Sequence, residues 1–257
     1  MAMTPGSEDR PREWKDVPAD AFKTARERTL AALELPSAAV HLAWYYDREG
    51  NFAGSSFSQL GPNVRDDITA TDLHATELLY VRIGPRSTRR LLEDGPHRTE
   101  VLVALRDPAL DTELLVAGPR ALDAMARLHE AVKLALSTPS ATRSSPWVTA
   151  AKLCARKRPG LFPVRDTIVQ KHLGMDRYQS YEIEYQVYRG LIGDTDIITA
   201  LDRATSQARI VEQGRDLVIT EPSLRVLDAA LWTHAKYGTS TPRQEPPVPE
   251  ADANEVR

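Results

Sequence analysis

Between Lys152 and Asp166 the chain reads KLCARKRPGLFPVRD. Lys152, Arg156, Lys157 and Arg158 gather at an apolar helical end, two prolines follow, and Arg165 and the single acid Asp166 close the run. Arginine holds phosphate through a planar fork and lysine through a point charge. A carboxylate beside them is the kind of group that stabilises a developing cation or moves a proton. Widening the window to Arg143–Arg177 brings in Lys171 and gives eight Lys/Arg against two acids, Asp166 and Asp176. The net charge of -3 over 257 residues means that a polyanion would be met by this local patch, not by the field of the whole molecule. The expected phosphate-binding set is therefore Lys152, Arg156, Lys157, Arg158, Arg165 and Lys171, with Asp166 as the catalytic carboxylate.

Each of these residues also has a plainer reading. Cations that close a helix meet the negative end of its macrodipole. An acid just after Pro163, where the next helix begins, is a common N-terminal stabiliser. Trp147 and Trp232 read as core aromatics. Cys154 is the single cysteine, which excludes an internal disulfide and any multi-cysteine zinc site, and on an apolar helix it reads as a small buried hydrophobe. Gly193-Asp194-Thr195-Asp196 reads as a turn with a helix cap. The six histidines, at 41, 74, 97, 129, 172 and 234, form no metal-ligand spacing, and neither a phosphate-binding glycine loop nor a nucleophile elbow is present. No metal or cofactor is expected. Tyr45, Tyr46, Asp47 and Asp72 offer a second candidate, a polar pocket near the hairpin expected over Ala39–Leu60.

The elements that must position these groups are mostly helical. Apolar spacing predicts helices over Ala21–Leu35, Ile68–Val81 (capped by Thr69 or Thr71), Pro85–Glu93, Arg120–Leu136, Trp147–Lys157, Val164–Leu173, Tyr178–Arg189, Ile197–Glu212 and Ser223–Lys236, with Ser223 as the last N-cap. Gly174 suits the left-handed residue after a helix. Ala39–Asp47, rich in aromatic and branched side chains, followed by Arg-Glu-Gly and Asn51–Leu60, predicts a small β-hairpin. Residues 1–19 and 238–257 are rich in proline and charge and too poor in large apolar side chains to offset ordering, so both are expected as disordered tails. A Ser/Thr/Pro break over 137–146 divides the remaining body, expected as one helical domain over 20–237, into an N-terminal part (20–138) and a second part (139–237). No apolar run reaches the roughly 20 residues of a membrane span, and no signal peptide is seen, so a cytoplasmic location and no membrane contact are expected. Arginine outnumbers lysine 26 to 7 beside abundant alanine, the coding bias of a GC-rich bacterial genome.

The run from Trp147 to Val169 resembles an uncharacterised bacterial family, found mostly in actinobacteria and named only as a domain of unknown function. Tyr45-Tyr46-Asp47 with the following Gly, Phe and Leu, Ile68–Ala75 and Leu224–Trp232 carry the same resemblance, which covers most of residues 40–236. A more distant resemblance is to the helix-hairpin-helix DNA glycosylases. Their Pro-Val-Asp step, whose aspartate is catalytic, is matched by Pro163-Val164-Arg165-Asp166 with one added residue. That resemblance implies a helical core, backbone N–H groups turned toward a phosphate, and a target base extruded from the stack. Two departures limit it. Ser144, Ser145 and Pro146 stand where the hairpin glycines would be, and proline has no N–H to offer. The nucleophilic lysine of the bifunctional members would fall near Trp147 and Val148, whereas Lys152 lies about a turn further on.

Together these readings predict a mainly α protein: a single helical domain with a small N-terminal β-hairpin and a helix-hairpin-helix glycosylase-like core. Its expected function is nucleic-acid binding through residues 143–171, as a degenerate relative of those glycosylases; any surviving activity would be that of a monofunctional glycosylase-like hydrolase. The alternatives are a non-enzymatic interaction module, in which the cations pair internally and no cleft faces Asp166, and a small-molecule enzyme using the hairpin acids and tyrosines.

Overall fold

Proline sets the start of four helices here, because its missing N–H falls where no helical bond is needed and its φ is already helical. The computed structural model describes residues 10–137, 146–211, 214 and 216–240. Among these, twelve α-helices run in the order α1 (Ala19–Leu33), α2 (Pro36–Tyr46), α3 (Ser56–Gln59), α4 (Ala70–Glu77), α5 (Pro85–Leu92), α6 (Pro96–Leu105), α7 (Pro119–Leu136), α8 (Trp147–Lys157), α9 (Thr167–Leu173), α10 (Tyr181–Ile192), α11 (Thr195–Val211) and α12 (Ser223–Tyr237). Pro36, Pro85, Pro96 and Pro119 open α2, α5, α6 and α7. Helix α4 is fixed by a reciprocal capping box, in which Thr69 accepts from the Asp72 N–H and Asp72 accepts from the Thr69 N–H. Asp166 and Ser180 cap α9 and α10, and Gly174 ends α9 at φ +72°.

The expected β-hairpin is absent from the described residues. Ala39–Tyr46 belongs to α2 instead, and the region's one β pairing among the described residues is an isolated antiparallel bridge between Asp47, just past the helix, and Leu217. Pro36 at the first helical position and the buried set Ala38, Ala39, Leu42, Ala43 and Tyr46, spaced at three and four residues, favour the helix over the strand preference of the aromatic end. The capping expectation for Ser223 also changes: Pro222 precedes the helix, and Ser223 is its first residue with no capping bond from its side chain.

Helix α2 packs between α11 and α12, α7 packs on α6 and α8, and α8 lies along α4. Leu42, Leu105, Met125, Leu153, Phe162, Tyr188 and Leu227 are buried in a cluster that draws on elements from both sides of the 137–146 break. The break itself, between Thr138 and Ser145, and the outer tails, 1–9 and 241–257, lie outside the described residues. The packed body reaches past the expected boundary at residue 20, because Trp14 is buried against Tyr181 and Tyr185. At the other end the Ser240 carbonyl lies 2.8 Å from Nε2 of buried His41. No described helix is long and apolar enough to cross a membrane.

Candidate functional site

The basic run turns inward. Arg156 is fully buried; its Nε donates to Asp72 Oδ1 (3.1 Å) and its two Nη groups to the carbonyls of Phe57 (2.9 Å) and Leu60 (2.7 Å). Lys157 Nζ donates to Asp72 Oδ2 (2.9 Å) and the Val64 carbonyl (2.7 Å). Arg158 reaches the carbonyls of Arg65 (2.8 Å) and Leu105 (2.9 Å). Three consecutive cations at the end of α8 thus hold the 57–65 loop by its carbonyls, with Asp72 as their one buried counter-charge. Arg165 pairs with buried Glu184 and lies 4.3 Å over the Trp147 ring. The expected phosphate contacts of Arg156, Lys157, Arg158 and Arg165 are not supported by this geometry: the first three are buried and already bonded to several oxygens, and Arg165 is buried in its pair with Glu184 against Trp147. Of the expected set, Lys171 alone is exposed.

Lys152 and Asp166 do come together. Lys152 Nζ lies 3.3 Å from Asp166 Oδ2 and donates to the Leu79 carbonyl at 2.9 Å. Asp166 uses its other oxygen to cap α9 by accepting from the Ile168 N–H at 3.0 Å. Val164, Arg165 and Asp166 of the Pro-Val-x-Asp step are each held by a side chain from outside the step or by a cap, and so is the turn just before it. Arg225 donates to the carbonyls of Pro159 (2.9 Å) and Phe162 (2.5 Å), and Asp228 accepts from the Val164 N–H at 3.0 Å. Glu184, which also accepts from Gln170 Nε2 at 2.9 Å, fixes Arg165.

Lys152 and Asp166 line a cleft whose enclosed volume is about 40 Å³. The end of α2 supplies Tyr45 and Tyr46, and the loop after it supplies Ala53 and Gly54. Gly54 is required there: its φ is +50°, and a Cβ would stand 2.7 Å from the Tyr45 carbonyl oxygen. Tyr80, at φ +59°, carries one of two non-glycine residues in the left-handed region among those described, a costly conformation for a bulky side chain. Its ring lies nearly parallel to Trp232, 10° between planes and 6.3 Å between centroids, and both are half-buried. From α12 and the loop before it come Glu221, Arg225 and Asp228.

The cleft is electrostatically tense. Burial raises the carboxyl of Asp228 to about 7 against the opposing pull of Arg225, with which it pairs. Burial also raises Glu221, which accepts from the Tyr46 hydroxyl at 3.2 Å. Glu221 Oε1, Asp228 Oδ1 and Arg225 Nη1 are buried with no hydrogen-bond partner among the described residues. Buried polar atoms without partners are uncommon, because each costs about 1–3 kcal/mol, and here three sit on residues that line one cleft. By contrast Cys154 is buried with its thiol pushed far up by desolvation, so it is no nucleophile.

Of the four residues of the expected polar pocket, Tyr45 and Tyr46 line the cleft, whereas Asp47 lies at the β bridge and Asp72 in the cation clamp, away from the cleft lining. Trp232, expected in the core, is a half-buried wall of the cleft. Asp194 is the expected turn and cap, accepting from the Asp196 and Ile197 N–H groups and pairing with Arg26. Glu221, Arg225, Asp228 and Tyr80 were missed. A signal for two of them was present: residues 224–231 read LRVLDAAL, with Arg225 and Asp228 the only charges in an apolar helix stretch, and the structure buries that whole stretch and pairs the two inside.

The fold and the cleft together define a mainly helical protein with an aromatic, carboxylate-rich cleft lined from α2, α8, α9 and α12. A model described as a family of unknown function (DUF6308) matches residues 38–235, and the chain belongs to that family. No curated protein matches the chain, and no solved structure does.

Proposed function

We propose that the protein binds a planar nitrogen heterocycle of the nucleobase class in this cleft, and that Asp166 is the carboxylate that acts on the sugar attached to it. The carrying observation is the coincidence of three unpartnered buried polar atoms, two acceptors and one donor, with aromatic walls and the Lys152–Asp166 pair. A nucleobase edge offers the complement, N–H donors beside a lone pair, while its faces suit Tyr45, Tyr80 and Trp232. The cleft holds only a few waters as it stands, so a ring enters by displacing half-buried Tyr80 from its strained position.

The chemistry is that of the helix-hairpin-helix glycosylase resemblance, carried by Pro163-Val164-Arg165-Asp166. The C–N glycosidic bond breaks and its electron pair leaves with the base. The Asp166 carboxylate stabilises the cationic sugar, and water adds to the anomeric carbon and gives up a proton, which the departed base anion takes up to leave as the neutral free base. Lys152 positions Asp166 and keeps a positive charge beside it. A non-enzymatic module with no cleft at Asp166 fits this geometry less well, although the inward pairing of the cations agrees with it.

Release of free base from oligonucleotides that carry modified bases, separated by chromatography, tests the reading. Asp166→Asn is expected to slow release by about 10²–10³-fold, the usual cost of removing an electrostatic stabiliser of a transition state. Equal release by wild type and Asp166→Asn, or no release from any substrate of the panel, would overturn the catalytic part.

A further inference from the structure

With the expected basic run spent inside the molecule, any nucleic-acid backbone must be met elsewhere. The stretch from Leu78 to Leu92 contains four arginines and no acid, in a chain whose net charge is -3. Arg90 is committed, donating to the carbonyls of Ala135 (3.4 Å) and Ser137 (2.6 Å). Arg82, Arg86 and Arg89 are exposed, and none has a hydrogen bond or ion pair among the described residues. Arg86 and Arg89 are three apart on α5 and so share a face, and Arg82 lies in the non-helical segment that leads into the helix. The nearest acids in sequence lie outside the stretch: Glu77 accepts from the Ile83 N–H at 2.8 Å, and Glu93 and Asp94 follow the helix. Arg82 is two residues beyond Tyr80, which lines the cleft, so the arginine run follows a wall of the site directly along the chain.

We infer that Arg82, Arg86 and Arg89 form a phosphate-binding face for a nucleic-acid strand whose base enters the adjacent cleft. The inference rests on the nucleobase reading of the cleft for its geometry, but the face itself stands on charge alone. Guanidinium groups on a short helix and on the segment that leads into it, unneutralised and rich in forked donors, are complementary to phosphodiesters. Three such contacts release about three condensed counterions, so log affinity against log salt is expected to fall with a slope of roughly -2 to -3.

Fluorescence anisotropy of a labelled 20-nucleotide single strand, titrated with the full chain between 50 and 200 mM salt, provides the test. Replacing Arg82, Arg86 and Arg89 together by alanine is expected to weaken binding by roughly 10–100-fold at 50 mM salt and to remove most of the slope, with the thermal melt unchanged because all three side chains are exposed. The same triple variant is expected to retain quenching of tryptophan fluorescence by a free nucleoside, whereas Asp228→Asn loses that quenching and keeps the salt slope. Loss of oligonucleotide binding in the triple variant without any nucleoside quenching in wild type would uphold the arginine face and refute the cleft reading. No oligonucleotide binding by wild type at 50 mM salt, or an unchanged slope in the triple variant, would overturn the inference.

Discussion

Asp166 carries two loads at once. One oxygen caps α9 and the other faces Lys152 in the cleft. This separates what a capping acid must do from what a catalytic acid must do. Asparagine caps a helix as well as aspartate does, so Asp166→Asn keeps the first function and removes the charge, whereas Asp166→Ala removes both. In urea unfolding the alanine variant is expected to lose about 1–3 kcal/mol, and the asparagine variant less than half of that. Equal losses would place the stabilisation in the Lys152 pair instead of the cap. The acid at this position was legible from the sequence because Pro163 and the apolar pattern mark a helix start. The company it keeps was not, since Tyr80, Glu221 and Asp228 come from 86 residues before and 55 and 62 residues after it along the chain.

Between elements, the decisive device is the inward turn of Arg156-Lys157-Arg158. A cluster of cations at a helix end reads from sequence as a solvated face or a phosphate site. Here α8 lies along α4, and the cluster satisfies at least five loop and helix-end carbonyls while sharing Asp72. Periodicity located α4, α5, α7, α8 and α12 to within a few residues, because each has an apolar stripe or a clear proline start. It failed at α2, where an apolar run with aromatic residues at its end suits either state until Pro36 is weighed. It could not show that the α8 cations are buried, because burial depends on which loop folds over them. Asp72 has no replacement inside the clamp, so Asp72→Ala leaves Arg156 and Lys157 buried without a carboxylate. That substitution is expected to cost about 3–5 kcal/mol, read from the shift of the denaturant midpoint at constant slope. A loss below about 1 kcal/mol would mean that the carbonyls alone suffice.

Across the molecule, buried ionisable groups pull stability in opposite directions with pH. Burial lowers His129 to about 4 and also lowers His41, His172 and His234. A histidine that stays neutral when folded costs stability as pH falls below about 6.5, where the unfolded chain takes up the proton. Asp228 and Glu184 are raised to about 7, so between about 4 and 7 the folded chain holds protons that the unfolded chain has released, and stability is lost as pH rises. Removing one member of the second group tilts the balance. Between pH 7 and pH 5, Asp228→Asn is expected to lose about 2 kcal/mol more than wild type does, measured as the difference in unfolding free energy at the two pH values. The same titration governs the cleft, where protonation of Asp228 replaces an acceptor with a donor. The most direct measurement is therefore a titration of wild type and Asp228→Asn with free nucleosides, followed by tryptophan fluorescence at pH 8 and pH 5.5. Saturable quenching by a nucleoside at pH 8, weakened about tenfold or more both at pH 5.5 and by Asp228→Asn, is the expected result, the tenfold change corresponding to about 1.4 kcal/mol for one lost hydrogen bond to a charged acceptor. Quenching by no nucleoside at millimolar concentration, or quenching that Asp228→Asn leaves unchanged, would contradict the assignment of this cleft as a nucleobase site.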